Sequence, residues 1–523
     1  MAADKAGPST QNSGDADKEL SSKLQDLSTH DEGDSDDSGD EEANNAGPAE
    51  AGAAKKKKKN KKKKKGKGKS TELRLAIKQA LKATDFLKLL ESQLGMEGQA
   101  KAVADHKPVL QNEGDEVKEG PIEHKTVAEV KKEPGALPAG FEWSIIDVKD
   151  DAQVHELLTD HYVEDDVAMF RFRYSKEFLL WALTPPGYYK EWHIGVRVQK
   201  TGKLIAFISG IPVELRVRDN TFMNAEINFL CVHKKLRAKR LAPVLIKEVT
   251  RQVNLTDNWQ AIYTAGVRIP TPFSTCRYYH RNLNPPKLVD IGFSPIPRGS
   301  SIARMVKQCA VPTTPSTPGW RAMTQADVPQ VASLLRRYLA RFQIYQTFSH
   351  DSEVEHWFLS GMGREVDGKR VEQVVWTYVV EDPESHEITD MMSFYSLPST
   401  IMQHPKHDVL NAAYMYYYAT DCILSGEGSS SSSDADSAKT TAKLSARLNA
   451  LVADLLVMAK SEGFDVVNTL TLMDNNLFLQ DQRFGGGDGY LNYYLYNYTT
   501  APIDGGASGT QSRQTSGIGV VML

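Results

Sequence analysis

The sequence predicts an α/β protein in which one strand–turn–helix–strand pattern occurs twice, giving one compact pseudo-symmetric unit behind a disordered N-terminal tail. Three observations carry this expectation. An apolar run with strand composition, Glu226–Val232, breaks into a cluster of cations with His233 and then resumes at helical spacing from Leu241. A second strand-like run, Ala412–Ala419, is followed by a long helical pattern over Ala438–Glu462 and a further strand at Asp465–Thr471. The first 70 residues hold almost nothing apolar to bury and cannot fold alone.

Within that tail Asp31–Glu42 is mostly acidic, and Lys55–Lys69 places twelve lysines in fifteen residues. Like charges at this density keep a chain extended and bind polyanions, of which cytosolic RNA is the most abundant. A nuclear-localisation signal is the competing reading. Thr71–Leu94 has helical spacing, and residues 71–138 otherwise read as linker. The first half is expected over 139–310. It starts with a strand at Gly140–Trp143, a helix over Ala152–Asp160, the acidic triplet Glu164-Asp165-Asp166, and a helix over Lys176–Leu183. Strands follow at Glu191–Val198, Leu204–Val217 and the central run, with turns at Thr201-Gly202 and Asp219-Asn220. A helix to about Val253 and a strand at Ala261–Ala265 come next.

The second half, 311–523, repeats the outline. Thr324–Phe342 reads as an amphipathic helix, and Glu372–Glu381, Glu387–Leu397, Ala412–Ala419 and Tyr490–Tyr496 as strands. The serine-rich insertion at 425–438 can only be a surface loop. Four cysteines without paired spacing exclude a disulfide framework and a zinc site and fit a reducing compartment. No segment is apolar and long enough to span a bilayer, and Met1–Lys5 lacks the apolar core of a signal peptide. A cytoplasmic, monomeric protein is expected, with no metal and no permanently bound cofactor.

A strand that ends in a basic turn and opens a helix points backbone N–H groups and a positive dipole end at one spot, which suits a phosphate. A solvated basic turn is the plain alternative. Strand meander, phosphate-facing turn, helix and strand together resemble the acyl-CoA-dependent N-acyltransferase fold, of the GNAT type, here in tandem. That fold usually carries Arg-x-x-Gly-x-Gly/Ala, whereas this chain reads Arg237-Ala238-Lys239-Arg240-Leu241-Ala242, with Arg240 at the glycine position. The run Asn228–Arg237, with Lys239-Arg240-Leu241, Tyr263–Gly266, Thr275–Tyr278, Phe484–Gly489 and the final Gly519–Leu523, resembles the glycylpeptide N-myristoyltransferase family from about Gly120 onward.

The resemblance implies transfer of a myristoyl group from myristoyl-CoA, a co-substrate, to the α-amine of an N-terminal glycine on peptides or nascent proteins. It also implies ribosome association through the lysine tail. Catalysis would fall to the terminal carboxylate of Leu523 as base, to the main-chain amides of Phe229 and Leu230 as an oxyanion hole, and to Asn228 and Thr264 around the amine. Acyl-CoA would lie along Phe229, Leu230, Cys231 and Val232 and on Arg237, Ala238, Lys239, Arg240, Leu241 and Ala242. The peptide would meet Tyr162, Glu164, Asp165, Asp166, Phe170, Phe172, His280 and Asp488, the last in a glycine-rich turn. The chain departs from the family at His106-Lys107-Pro108-Val109, where an aromatic segment that covers CoA is missing. A shorter-chain N-acetyltransferase, and a ribosome-associated relative with weakened catalysis, are the other readings this leaves open.

Overall fold

The computed structural model describes residues 118–163, 169–367, 369–424, 434–508 and 514–523. The lysine tail, the helix expected at Thr71–Leu94, the His106–Val109 stretch, the acidic triplet and most of the serine-rich loop lie outside them.

Twelve strands form the path of one large sheet. In chain order they are β1 (Phe141–Ile145), β2 (Ile194–Val198), β3 (Leu204–Val217), β4 (Asn220–Val232), β5 (Ala261–Ala265) and β6 (Ser274–Asn282). The second half supplies β7 (Trp320–Ala322), β8 (Val375–Glu381), β9 (Ile388–Ser396), β10 (Ala412–Thr420), β11 (Val466–Leu470) and β12 (Gly485–Tyr496). Their spatial order is β1-β2-β3-β4-β5-β12-β6-β11-β10-β9-β8-β7. Each half therefore runs as a meander to a parallel pair joined by a helix, Ala225 opposite Ala261 in one and Ala412 opposite Val466 in the other. Each half's last strand then lies beside the other half's parallel pair, β12 against β5 and β6 against β11. The expected boundary near residue 310 divides the sequence but not the sheet.

The helices follow from apolar spacing and local caps. Helix α1 (Ala152–His161) is capped by Asp151, which accepts from the Gln153 amide, and α2 (Lys176–Leu183) by Ser175 on the Phe178 amide. Helix α3 (Leu241–Leu255) buries Leu241, Leu245, Val249 and Val253, an i,i+4 stripe packed on the first half of the sheet. In the second half α4 (Val328–Leu339) and α5 (Asp434–Ser461) occupy the corresponding places, α5 burying Leu444, Leu448, Leu451 and Leu455.

Several boundaries move for local reasons. The expected helix at Thr324 opens as a 3-10 turn, because the Asp327 carboxylate turns back to the Thr324 amide and hydroxyl. The strand expected from Glu372 starts at Val375, since the Val374 and Val375 amides both reach the Gly361 carbonyl. Phe484–Gly489 is not a turn. Gly485 opens β12, and the glycines form a bulge in its ladder with β6. The terminal strand shrinks to Ile518–Gly519, parallel to the short strand Ile344–Gln346, which also pairs with β3. Val520, Val521 and Met522 follow as buried, irregular chain, and Leu523 is half-buried.

Candidate active site

The site begins with a fault in β4. On its β3 side Asn228 faces Ser209 and Cys231 faces Phe207, so Phe229 and Leu230 together oppose the single residue Ile208. Phe229 sits at φ 54°, in the left-handed region that bulky residues avoid. The Ser209 hydroxyl donates to the Asn228 carbonyl at 3.0 Å and ties the bulge to β3. On its other edge β4 pairs with β5 for two residues only, Ala225 with Ala261 and Glu226 with Ile262. Carrying that register two residues on brings Asn228 level with Thr264, past the point where the ladder stops. The strand is thus released on both edges at Phe229–Leu230.

The phenol of Tyr162 lies beside the Phe229 amide. Tyr162 therefore stands at the bulge, its ring 5.9 Å from that of Phe229 and 5.7 Å from that of Tyr174. Cys231 is buried, its Sγ 3.8 Å from the Leu157 carbonyl, and burial pushes its thiol up to about 12. It is no nucleophile at neutral pH.

Beyond Val232 the basic stretch forms a 3-10 turn, Lys234–Lys239, and Arg240 takes φ 56° at the junction with α3. Arg240 thus takes a left-handed conformation, which glycine would adopt without strain. Arg240 makes no side-chain cap, which leaves the first turn of α3 without one. Leu241 and Ala242 are buried, so only their main chain can meet a ligand. Arg237 differs from expectation. Its guanidinium turns inward and donates to the carbonyls of His161 and Tyr162 at the end of α1. Beside it the His161 and His233 rings lie 4.0 Å apart, and burial, with the charges of His233, Lys234 and Arg237, lowers His161 to about 3.

The expected peptide residues gather on the other side of the bulge. Phe172 lies 6.0 Å from Tyr174 and 6.4 Å from Tyr414, and Phe170 lies 6.0 Å from Phe293. His280 meets the same Phe293 at 5.5 Å, and its Nδ1 is 2.7 Å from Asn468 Oδ1. With Nδ1–H donating there, Nε2 is left as the acceptor. A Cβ on Gly487 would fall 2.5 Å from that Nε2, so this position must be glycine to leave the imidazole in place. Asp488 is exposed on the bulge of β12, and its charge opposes the lowering of His280 by burial.

The chain's end comes to the same place. Val521 and Leu523 line a small cavity with Ile211, Gln346, Trp357, Tyr416 and a residue the sequence reading passed over, Glu226. Glu226 is buried, accepts from Asn228 Nδ2 at 2.7 Å, lies beside the Leu523 amide, and is raised by desolvation to about 8. A carboxylate set in the apolar run Ala225–Leu230 was its signal. Tyr174, Phe293, Tyr414 and Asn468 also went unassigned. Their roles come from contacts across the sheet that no local pattern encodes.

A released strand facing an uncapped helix start, repeated in outline by a second fused half, defines an N-acyltransferase. Family models for the N-terminal and C-terminal domains of myristoyl-CoA:protein N-myristoyltransferase match residues 121–276 and 290–521. A glycylpeptide N-tetradecanoyltransferase of Emericella nidulans is 52% identical over 410 residues, 77% of this chain and 79% of that protein. One from Saccharomyces cerevisiae is 45% identical over 463 residues, 85% of this chain and 99% of that one. A crystal structure of the Saccharomyces cerevisiae N-myristoyltransferase with bound myristoyl-CoA and inhibitors superposes with a TM-score of 0.75 at 45% identity, covering 83% of this chain and 99% of that one. The chain belongs to the myristoyl-CoA:protein N-myristoyltransferase family.

Glu226 also gives the fold a pH signature. In the unfolded chain it ionises near 4.5 and in the fold near 8, so between those values only the unfolded state has lost the proton. Its stabilising contribution is complete below pH 4.5 and declines as pH rises toward 8, by at most about 1.4 kcal/mol per pH unit. Urea unfolding of the protein and of Glu226→Gln across this window should show the gap between them changing with that sign. A pH-independent gap would contradict the assignment.

Proposed function

We propose that the protein transfers a myristoyl group from myristoyl-CoA to the α-amine of an N-terminal glycine, by direct attack of the amine on the thioester. The observation that carries this reading is the meeting of three parts at one spot. They are the β4 bulge, the half-buried Leu523 and the aromatic wall of Tyr162, Phe172 and Tyr414.

The acyl-CoA phosphates lie against main-chain amides of the Lys234–Lys239 turn and the start of α3, with Lys239 and Arg240 adding charge. The thioester carbonyl reaches the amides of Phe229 and Leu230. Fixed donors of this kind stabilise a developing oxyanion by about 2.7–4 kcal/mol each. The Tyr162 phenol beside the Phe229 amide in the free protein gives way to that oxygen.

The incoming glycine arrives as an ammonium, held by Asn228 and Thr264. The Leu523 carboxylate takes its proton, and the neutral amine forms the C–N bond. The C–S bond then breaks, and CoA leaves as thiolate and takes up the second proton, which the nitrogen sheds as it becomes an amide. A free α-carboxylate titrates at about 3.3–3.7 and an α-amine at about 7.7–8.0, so holding the amine beside Asn228 and Thr264 as its proton leaves is part of the proposed step. The rest of the peptide runs along Phe170, Phe172 and His280 toward Asp488, with Glu164, Asp165 and Asp166 receiving its basic residues. The enzyme acts as a cytoplasmic monomer, and its lysine tail holds it to ribosomal RNA.

Acyl-chain comparison tests the reaction. Each buried methylene is worth about 0.8 kcal/mol, so lauroyl-CoA should fall about tenfold below myristoyl-CoA in kcat/KM on a glycine-initiated peptide. Equal turnover of acetyl-CoA would contradict the proposal. Deleting Lys55–Lys69 should flatten the salt dependence of ribosome binding and leave turnover of a free peptide intact. Loss of peptide turnover on that deletion would place the tail in the site.

A further inference from the structure

Glu226 has no task in the reaction as written, yet it occupies the most constrained position near it. It lies two residues before Asn228 on β4 and is 6% exposed. Among the described residues it forms no ion pair. Its carboxyl accepts from the side-chain amide of Asn228 and lies beside the main-chain amide of Leu523, with which it lines one cavity. One atom group therefore links a residue that would hold the substrate amine to the residue that carries the terminal carboxylate.

The rest of the C-terminal segment is pinned in the same manner. The Val521 amide donates to the Tyr417 hydroxyl at 3.0 Å, and that hydroxyl donates to Gln346 Oε1 at 3.2 Å. Two anchors two residues apart fix the final dipeptide, and Glu226 is the one nearer its end. A chain terminus otherwise frays, because it lacks onward chain to hold it.

We infer that Glu226 is the positioning residue of the catalytic terminus: it sets the Leu523 carboxylate in register with Asn228, so that base and amine are held by one side chain. This rests on the reading of Leu523 as base. The protonation state of Glu226 matters to it. The groups facing Glu226 from the packed elements are the phenols of Tyr395 on β9 and Tyr416 and Tyr417 on β10, together with the chain terminus. The neighbours from β3, β5 and the Ile344–Gln346 strand do not titrate. With no cation present, burial keeps the acid neutral through neutral pH, and the terminal carboxylate is left as the anion of the cavity. Above about pH 8 Glu226 ionises as well. The added negative charge favours the substrate ammonium over the amine and slows attack.

The test compares Glu226→Ala and Glu226→Gln in the full-length protein, reading the melting temperature, affinity for a non-hydrolysable myristoyl-CoA analogue, and the pH profile of kcat. The Ala variant loses the bond to Asn228 and the carboxyl beside the Leu523 amide. Its kcat should fall about tenfold to hundredfold, as expected for a misplaced catalytic group, with analogue affinity retained. The Gln variant keeps an acceptor oxygen and a donor in the same place. It should recover at least about tenfold of that loss and lack the alkaline limb near pH 8. Full activity in Glu226→Ala would show that the terminus needs no such anchor. A Gln variant that folds, binds the analogue and loses kcat by about a hundredfold or more would make Glu226 itself the base, which overturns the Leu523 reading and the positioning role together. Matching alkaline limbs in wild type and Glu226→Gln would contradict the neutral-acid arrangement.

Discussion

The extra residue in β4 governs most of what surrounds it. Holding Phe229 at φ 54° costs about 1–2 kcal/mol relative to ordinary strand geometry. That cost is offset by burying its ring against Tyr162 and Tyr174 and by the Ser209 hydroxyl on the Asn228 carbonyl. Such strain persists only where neighbours over-determine it, and it concentrates where chemistry occurs. In exchange, a central strand is freed from β3 at Phe229–Leu230 and from β5 beyond Glu226. Backbone amides in the middle of a sheet become usable, which a regular ladder would forbid.

The second half repeats the device with a different outcome. The β9–β10 ladder slips between Met392 and Phe394, and the Ser393 hydroxyl donates to the Tyr417 carbonyl, as Ser209 does to Asn228. There Tyr416 and Tyr417 receive the chain's own last residues. One copy of the bulge releases Phe229 and Leu230 from the ladder, and the other seats the chain's last residues. The exchange of β6 and β12 between halves holds the two bulges in a fixed relation, since neither half completes its sheet alone.

Much of this was legible in the residues. Leu204–Val217, Ala261–Ala265 and Lys176–Leu183 fall where composition and spacing put them, because their apolar pattern is met by burial on the expected face. The bulge was not legible from physics alone, since nothing about a phenylalanine suggests a left-handed backbone. Arg240 misleads in the same way, standing where glycine would announce the turn. The run Gly485–Gly489 misleads in the opposite sense. Glycines that signal a turn in isolation here let β12 pass close to Tyr278 and His280. Glu226 was hidden because its meaning depends on residue 523, almost three hundred positions away in sequence.

These features meet around Leu523, the residue whose carboxylate serves as base in the proposed reaction. Adding one glycine after Leu523 preserves every side chain and every anchoring bond described above, and moves only the carboxylate. The extended protein should fold and bind a myristoyl-CoA analogue as the native one does, with kcat lowered at least about a hundredfold, the lower range for losing a general base. Near-native kcat in the extended protein would contradict the account and move the base elsewhere in the site.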